Sequence, residues 1–114
     1  MKVLIGLLIL TAHLHAATWK AGEETFELTE DPKKDWVTSS CLKECEIDRL
    51  AAGVLKAAPP TEEELSGGRN PGSVICKKIL GQVVYLEREE QTEAFCKHGD
   101  SLVSLSRLTR LFLK

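Results

Sequence analysis

Four cysteines, Cys41, Cys45, Cys76 and Cys96, constrain this chain more than any other feature. In an oxidising compartment an even count reads as disulfides, and in a reducing one as a metal site or a reactive thiol, so each compartment implies a different core. Compartment therefore comes first. The chain opens MKVLIGLLILTAHLHAATWK, in which Lys2 precedes an apolar run from Val3 to Leu10, and Ala16 and Ala17 offer a cleavage point. Charge, apolar run and small residues in that order form a secretory signal peptide over 1–16. The run is well short of the roughly 20 residues that span a bilayer, and no cysteine follows it to carry a lipid anchor. The expected product is exported, either periplasmic or secreted, and its cysteines read as disulfides.

Charge narrows the partners. The whole chain has 15 Lys and Arg against 17 Asp and Glu; losing Lys2 with the leader leaves 14 against 17, a net charge of −3. Nucleic acid would need a basic face, so no nucleic-acid partner is expected. Residues 17–114 suffice for one small domain, whose modest core would gain from covalent cross-links.

Local pattern divides that domain. TFELT, residues 25–29, alternates apolar and polar positions and predicts a short strand, which EDPKKD ends as a charged turn. From Trp36 the composition turns helical, and a helix is expected from about Ser40 to Ala57, weakened at Gly53, with Ser39 or Ser40 as cap. The proline and glycine pairs of APPTEEELSGGRN mark a linker. Asn70 then stands where an N-cap belongs and Pro71 where a first-turn proline belongs, and Gly81 is placed to end that helix in a left-handed conformation. QVVYLERE and QTEAFCKH predict a β-hairpin turning near Arg88 to Gln91. Leu102, Leu105, Leu108 and Leu111 recur every three residues, which predicts a closing helix capped by Asp100 or Ser101. The expected regions are the leader 1–16, an N-terminal strand and helix region 17–56, a linker 57–69, and a domain 70–114. The expected fold is α+β: helix, β-hairpin and C-terminal helix, with the N-terminal region added and disulfides holding the whole.

NPGSVIC, the glycine five residues after its cysteine, the hairpin, FCKHGDS and the apolar end together resemble a small bacterial domain of unknown function that carries a hemolysin label, the DUF333-like family. The family pattern runs Asn-Pro-Ala-Ser-x-Tyr-Cys, then a Gly-Gly pair, a second cysteine, an Asp-Gly-Ser-like turn and a helix containing tryptophan. The resemblance covers about residues 69–112. Asn70, Pro71, Ser73, Cys76, Gly81 and Cys96 match. Ile75 stands where the family has tyrosine, Leu80 where it has the first glycine, and Ser106 near its tryptophan. Residues 17–68, with Cys41 and Cys45, lie outside the resemblance, and the family supplies no catalytic residues to carry over.

With that match, a helix and hairpin folding back on each other predict a Cys76–Cys96 disulfide. Cys41 and Cys45, at i and i+4, can pair locally, pair across to the other two, or remain free. Zinc would need these thiols with His98, in spacings that fit no common module, so neither metal nor cofactor is expected. His98, Asp100 and Ser101 are too close in sequence to form a triad, and KHGDS reads as a polar turn with a helix cap. The functional expectation is a non-catalytic, exported interaction or envelope-associated protein with a protein or envelope partner. One alternative is a membrane-active protein acting at a membrane surface through the C-terminal segment, where Arg107, Arg110 and Lys114 accompany the leucines. Another is a small hydrolase or redox protein.

Overall fold

The structure, a computed structural model, describes residues 15–114. The expected signal peptide therefore lies, apart from His15 and Ala16, outside the described residues. Six antiparallel strands, β1 (Ala16–Ala21), β2 (Glu24–Glu30), β3 (Trp36–Val37), β4 (Gln82–Arg88), β5 (Gln91–His98) and β6 (Ser101–Ser104), close into a barrel in the order β1-β2-β3-β6-β5-β4. Three α-helices accompany it: α1 (Glu46–Ala57), α2 (Pro71–Lys78) and α3 (Leu105–Phe112). This corrects the expected α+β order of helix, hairpin and C-terminal helix. The hairpin is there, as β4 and β5 in register from Gln82↔Lys97 to Arg88↔Gln91, but it forms one part of a closed sheet.

Closure joins strands from both sides of residues 57–69. β1 meets β4 at Lys20↔Glu87, and β3 meets β6 at Val37↔Val103. The missed strands are β1, β3 and β6. β3 is only two residues long, and β6 sits inside the stretch whose leucine spacing predicts helix. In β6 the period is two: Leu102 joins one buried cluster and Val103 the other, as neighbours on a strand must. The helix accordingly starts at Leu105, later than the predicted cap at Asp100 or Ser101.

Each strand contributes one buried side chain to the barrel interior, Trp19, Leu28, Trp36, Leu86, Phe95 and Leu102, and half-buried Ala17, Ala21, Phe26 and Val84 pack against them. Trp19 meets Phe95 and Trp36 edge-on, with ring centroids 5.2 and 5.7 Å apart, the favoured aromatic geometry. The Arg88 guanidinium lies over both indoles, 5.2 Å from Trp19 and 4.8 Å from Trp36. This attraction offsets part of the cost of leaving Arg88 Nε and Trp19 Nε1 buried without a hydrogen-bond partner among the described residues. A second core forms where the helices cover the barrel, from Val37, Cys96 and Val103 on the strands with Ile47, Ala51, Ile75, Ile79, Leu105 and Leu108 from the helical side.

Candidate functional site

The two disulfides are Cys76–Cys96 and Cys41–Cys45, with α-carbons 5.7 and 4.9 Å apart. The first ties α2 to β5. The second lies in the connection before α1, because the helix expected from Ser40 begins only at Glu46, with Cys45 as its extended N-cap. Gly53, expected to weaken that helix, sits inside it without interrupting it.

The motif residues surround α2. Asn70 caps the helix, its Oδ1 accepting from the Ser73 amide at 3.1 Å and from Thr109 Oγ1 at 3.0 Å, and Pro71 opens it. Gly72 donates its N–H to Thr109 Oγ1 at 3.1 Å, so one threonine links cap, first turn and α3. The left-handed residue after α2 is Leu80, with φ 65°, where Gly81 was expected to take that role. Gly81 is required for a different reason: a Cβ there would lie 2.8 and 2.9 Å from the two sulfurs of the Cys76–Cys96 bond.

Arg107, expected on a basic helix face, instead points inward. Its Nε donates to Asp48 Oδ1 at 3.2 Å, Nη1 to Asp31 Oδ2 at 3.1 Å and to the Cys41 carbonyl at 2.6 Å, and Nη2 to Asp48 Oδ2 at 2.6 Å and the Lys43 carbonyl at 3.2 Å. All five of its N–H groups are satisfied, a geometry that only the planar guanidinium can supply. Asp48 also accepts from the Cys45 amide at the start of α1, and Asp31 from the amides of Lys33 and Asp35. Arg110 pairs with Asp35, which also accepts from Ser106 Oγ at 2.7 Å. The leucine stripe is core at Leu105 and Leu108. Arg107 and Arg110 thus hold the β2–β3 loop and the start of α1 onto α3.

On the other side of α3 two cations are left without ion-pair partners among the described residues. A groove of about 500 Å³ is lined by Arg69, Asn70, Ser73 and Lys77 along α2, by Tyr85, Glu93 and Ala94 on the β4–β5 hairpin, and by Leu105 and Ser106. Arg69 and Lys77 are exposed and form no ion pair among the described residues, whereas neighbouring Lys78 pairs with Glu64 at 2.8 Å. Tyr85 is 59% exposed, a large ring presented to solvent. Burial pushes the Glu93 carboxyl above its ordinary range, the Asp35 charge adds to that, and the Arg88 guanidinium opposes it. The groove therefore combines two cations, two serine hydroxyls, an aromatic ring and a carboxyl whose pKa is raised.

Asn70 and Ser73 are the sequence-singled residues that line this groove; Cys76, Cys96 and Gly81 brace the helix behind it, and Cys41 and Cys45 lie elsewhere. His98 closes β5 beside a two-residue turn and pairs with Ser101 across it, and its side chain makes no hydrogen bond to Asp100 or Ser101 among the described residues. No three His, Cys, Asp or Glu side chains gather as a metal-binding group among the described residues. Tyr85, Glu93, Lys77 and Arg69 were not read as site residues. The available signal was the spacing of Ser73 and Lys77, four residues apart and hence on one face of the helix, with Arg69 just before its cap. Compared with family models, with curated proteins and with solved structures, the chain matches none.

Proposed function

We propose that the protein is an exported, non-catalytic binding protein whose contact face is the groove between α2 and the β4–β5 hairpin. One observation carries this reading: exposed Tyr85, Arg69 and Lys77 converge there without ion pairs or side-chain hydrogen bonds among the described residues, while Arg107 and Arg110 in the same domain are paired with aspartates. Tyrosine and arginine contribute most often to protein interfaces, because they bring large area or several donors at modest entropic cost. The wall behind the groove is rigid, held by the Asn70 cap, Thr109 and the Cys76–Cys96 bond. Two disulfides in a domain this small are compatible with an oxidising compartment, and together with the leader sequence they support a periplasmic or secreted location.

Two local features support the DUF333-like resemblance. Leu80, where that family has glycine, carries the left-handed backbone that glycine adopts without strain, and Gly81 lies against the disulfide that joins the matching cysteines. Gly72 departs from the pattern, since the alanine found there in the family would overlap the Leu105 carbonyl. The membrane-active alternative loses Leu105, Leu108 and Arg107 to the interior, and Arg110 is paired with Asp35.

A photo-reactive residue placed at Tyr85 or Ser73 in the producing cell tests the proposal. Discrete adducts from these positions, and none from exposed Glu27 on β2, are expected. Equal labelling from both faces would remove the groove as the contact face, and N-terminal sequencing that returns Met1 in place of Ala17 or Thr18 would remove export.

A further inference from the structure

The groove has a companion. A second depression of about 260 Å³ is lined by Glu64, Arg69, Ser73, Val74, Lys77 and Lys78, so Arg69, Ser73 and Lys77 line both and form a ridge between them. Ser73 and Lys77 are one helical turn apart, about 6 Å, and Arg69 directly precedes the cap. The ridge thus presents a cation at each end and a hydroxyl between. Lys78 is neutralised by Glu64, whereas the two ridge cations have no carboxylate within ion-pair reach among the described residues. In a chain whose overall balance is acidic, at −2, this is a local reversal of sign. Tyr85 at the far wall adds an exposed ring.

From this charge pattern we infer that the groove takes an extended, acidic peptide segment of a partner protein, with carboxylates on Arg69 and Lys77 and an apolar side chain on the Tyr85 ring. A groove bordered by such a ridge suits an extended chain, whose successive side chains on one face lie about 7 Å apart, close to the Ser73–Lys77 spacing, so that carboxylates two such steps apart reach Lys77 and Arg69. Charge complementarity of this kind chiefly sets specificity and the rate of encounter. The inference rests on the groove being the contact face, as proposed above.

The test uses the disulfide-bonded protein, labelled with ¹⁵N, and a synthetic peptide alternating Glu and Ala with one central Leu. Its Gln-for-Glu counterpart and vesicles of phosphatidylglycerol serve as comparisons. The acidic peptide should shift the amide signals of Arg69, Ser73, Lys77 and Tyr85, and its affinity should fall about fivefold or more between about 50 and about 300 mM salt. Arg69→Glu with Lys77→Glu should weaken it at least about tenfold at unchanged Tm, whereas Lys56→Glu on α1 should have no effect. Equal binding of the Gln peptide, no shift at millimolar peptide, or tighter binding to the vesicles than to the peptide would overturn the inference. If adducts at Tyr85 persist in any of those cases, the contact face stands and only the acidic partner is lost.

Discussion

Gly72 on α2 and Leu105 at the start of α3 are in backbone contact: a Cβ at Gly72 would overlap the Leu105 carbonyl oxygen and lie 2.9 Å from both Asn70 Oδ1 and Thr109 Oγ1. The two helices can approach this closely only because one of them has no side chain at the crossing. Gly72→Ala should therefore force α3 outward and cost about 1–3 kcal/mol, as overpacking does. Urea denaturation followed by circular dichroism measures it, and an unchanged midpoint would show that the contact yields freely.

Leu80 combines two unfavourable conditions, a left-handed backbone at φ 65° and a side chain 88% exposed. The left-handed region costs an L-residue about 1–2 kcal/mol, part of which glycine returns through its larger unfolded-state entropy. Leu80→Gly is expected to stabilise by about 0.5–1 kcal/mol. A calorimetric Tm below that of the parent would contradict this.

Removing Arg107 strands charge. Its side chain is 14% exposed and those of Asp31 and Asp48 are 7% and 14% exposed, so Arg107→Ala leaves two buried carboxylates without their cation. A loss of about 3–5 kcal/mol is expected, and Arg107→Lys should recover little, having three donors on a point charge where five in a plane are needed. Chemical denaturation of the two variants side by side gives the comparison.

Glu93 gives a pH dependence of definite sign. Its carboxyl is raised above the ordinary 4.5, first by burial and then by Asp35. The folded state therefore holds the proton more tightly than the unfolded chain, and the stability this contributes is full below the unfolded pKa and lost as pH rises through the folded one. Glu93→Gln should stabilise at neutral pH, with the advantage fading as pH falls through the raised folded pKa and gone below the ordinary 4.5. An advantage that stays constant across the acid range would show that ionisation is not the cause.

The two disulfides should contribute unequally. Cys76–Cys96 closes a loop with a sequence separation of 20, worth about 3 kcal/mol in the loop-entropy account, whereas Cys41–Cys45 spans a separation of 4 and restrains little of the unfolded chain. Cys76→Ser or Cys96→Ser should cost about 2–5 kcal/mol, and Cys41→Ser noticeably less. Non-reducing peptide mapping checks the connectivity, and a Cys45 peptide joined to Cys76 would refute it.

Sequence alone determined the features that depend on a few adjacent residues. The Asn70 cap, the Pro71 start and the β4–β5 hairpin follow from capping and turn chemistry within single segments, and strand β2 follows from alternation in TFELT. The Cys76–Cys96 pair also followed, because it joins the two ends of one such compact unit. Barrel closure was decided only by tertiary structure. A two-residue strand such as Trp36–Val37 has no periodicity to read, and Leu102 belongs equally to a three-residue leucine repeat and to a strand until β5 and β3 pair on either side of it. The same holds for the arginines: on a helical wheel Arg107 is a surface cation, and it becomes an internal cross-link because Asp31 and Asp48, remote in sequence, lie within its reach. Arg69 and Lys77 remain exposed for the converse reason, since closure brings Tyr85 and Glu93 to their groove and no opposing carboxylate within ion-pair distance among the described residues.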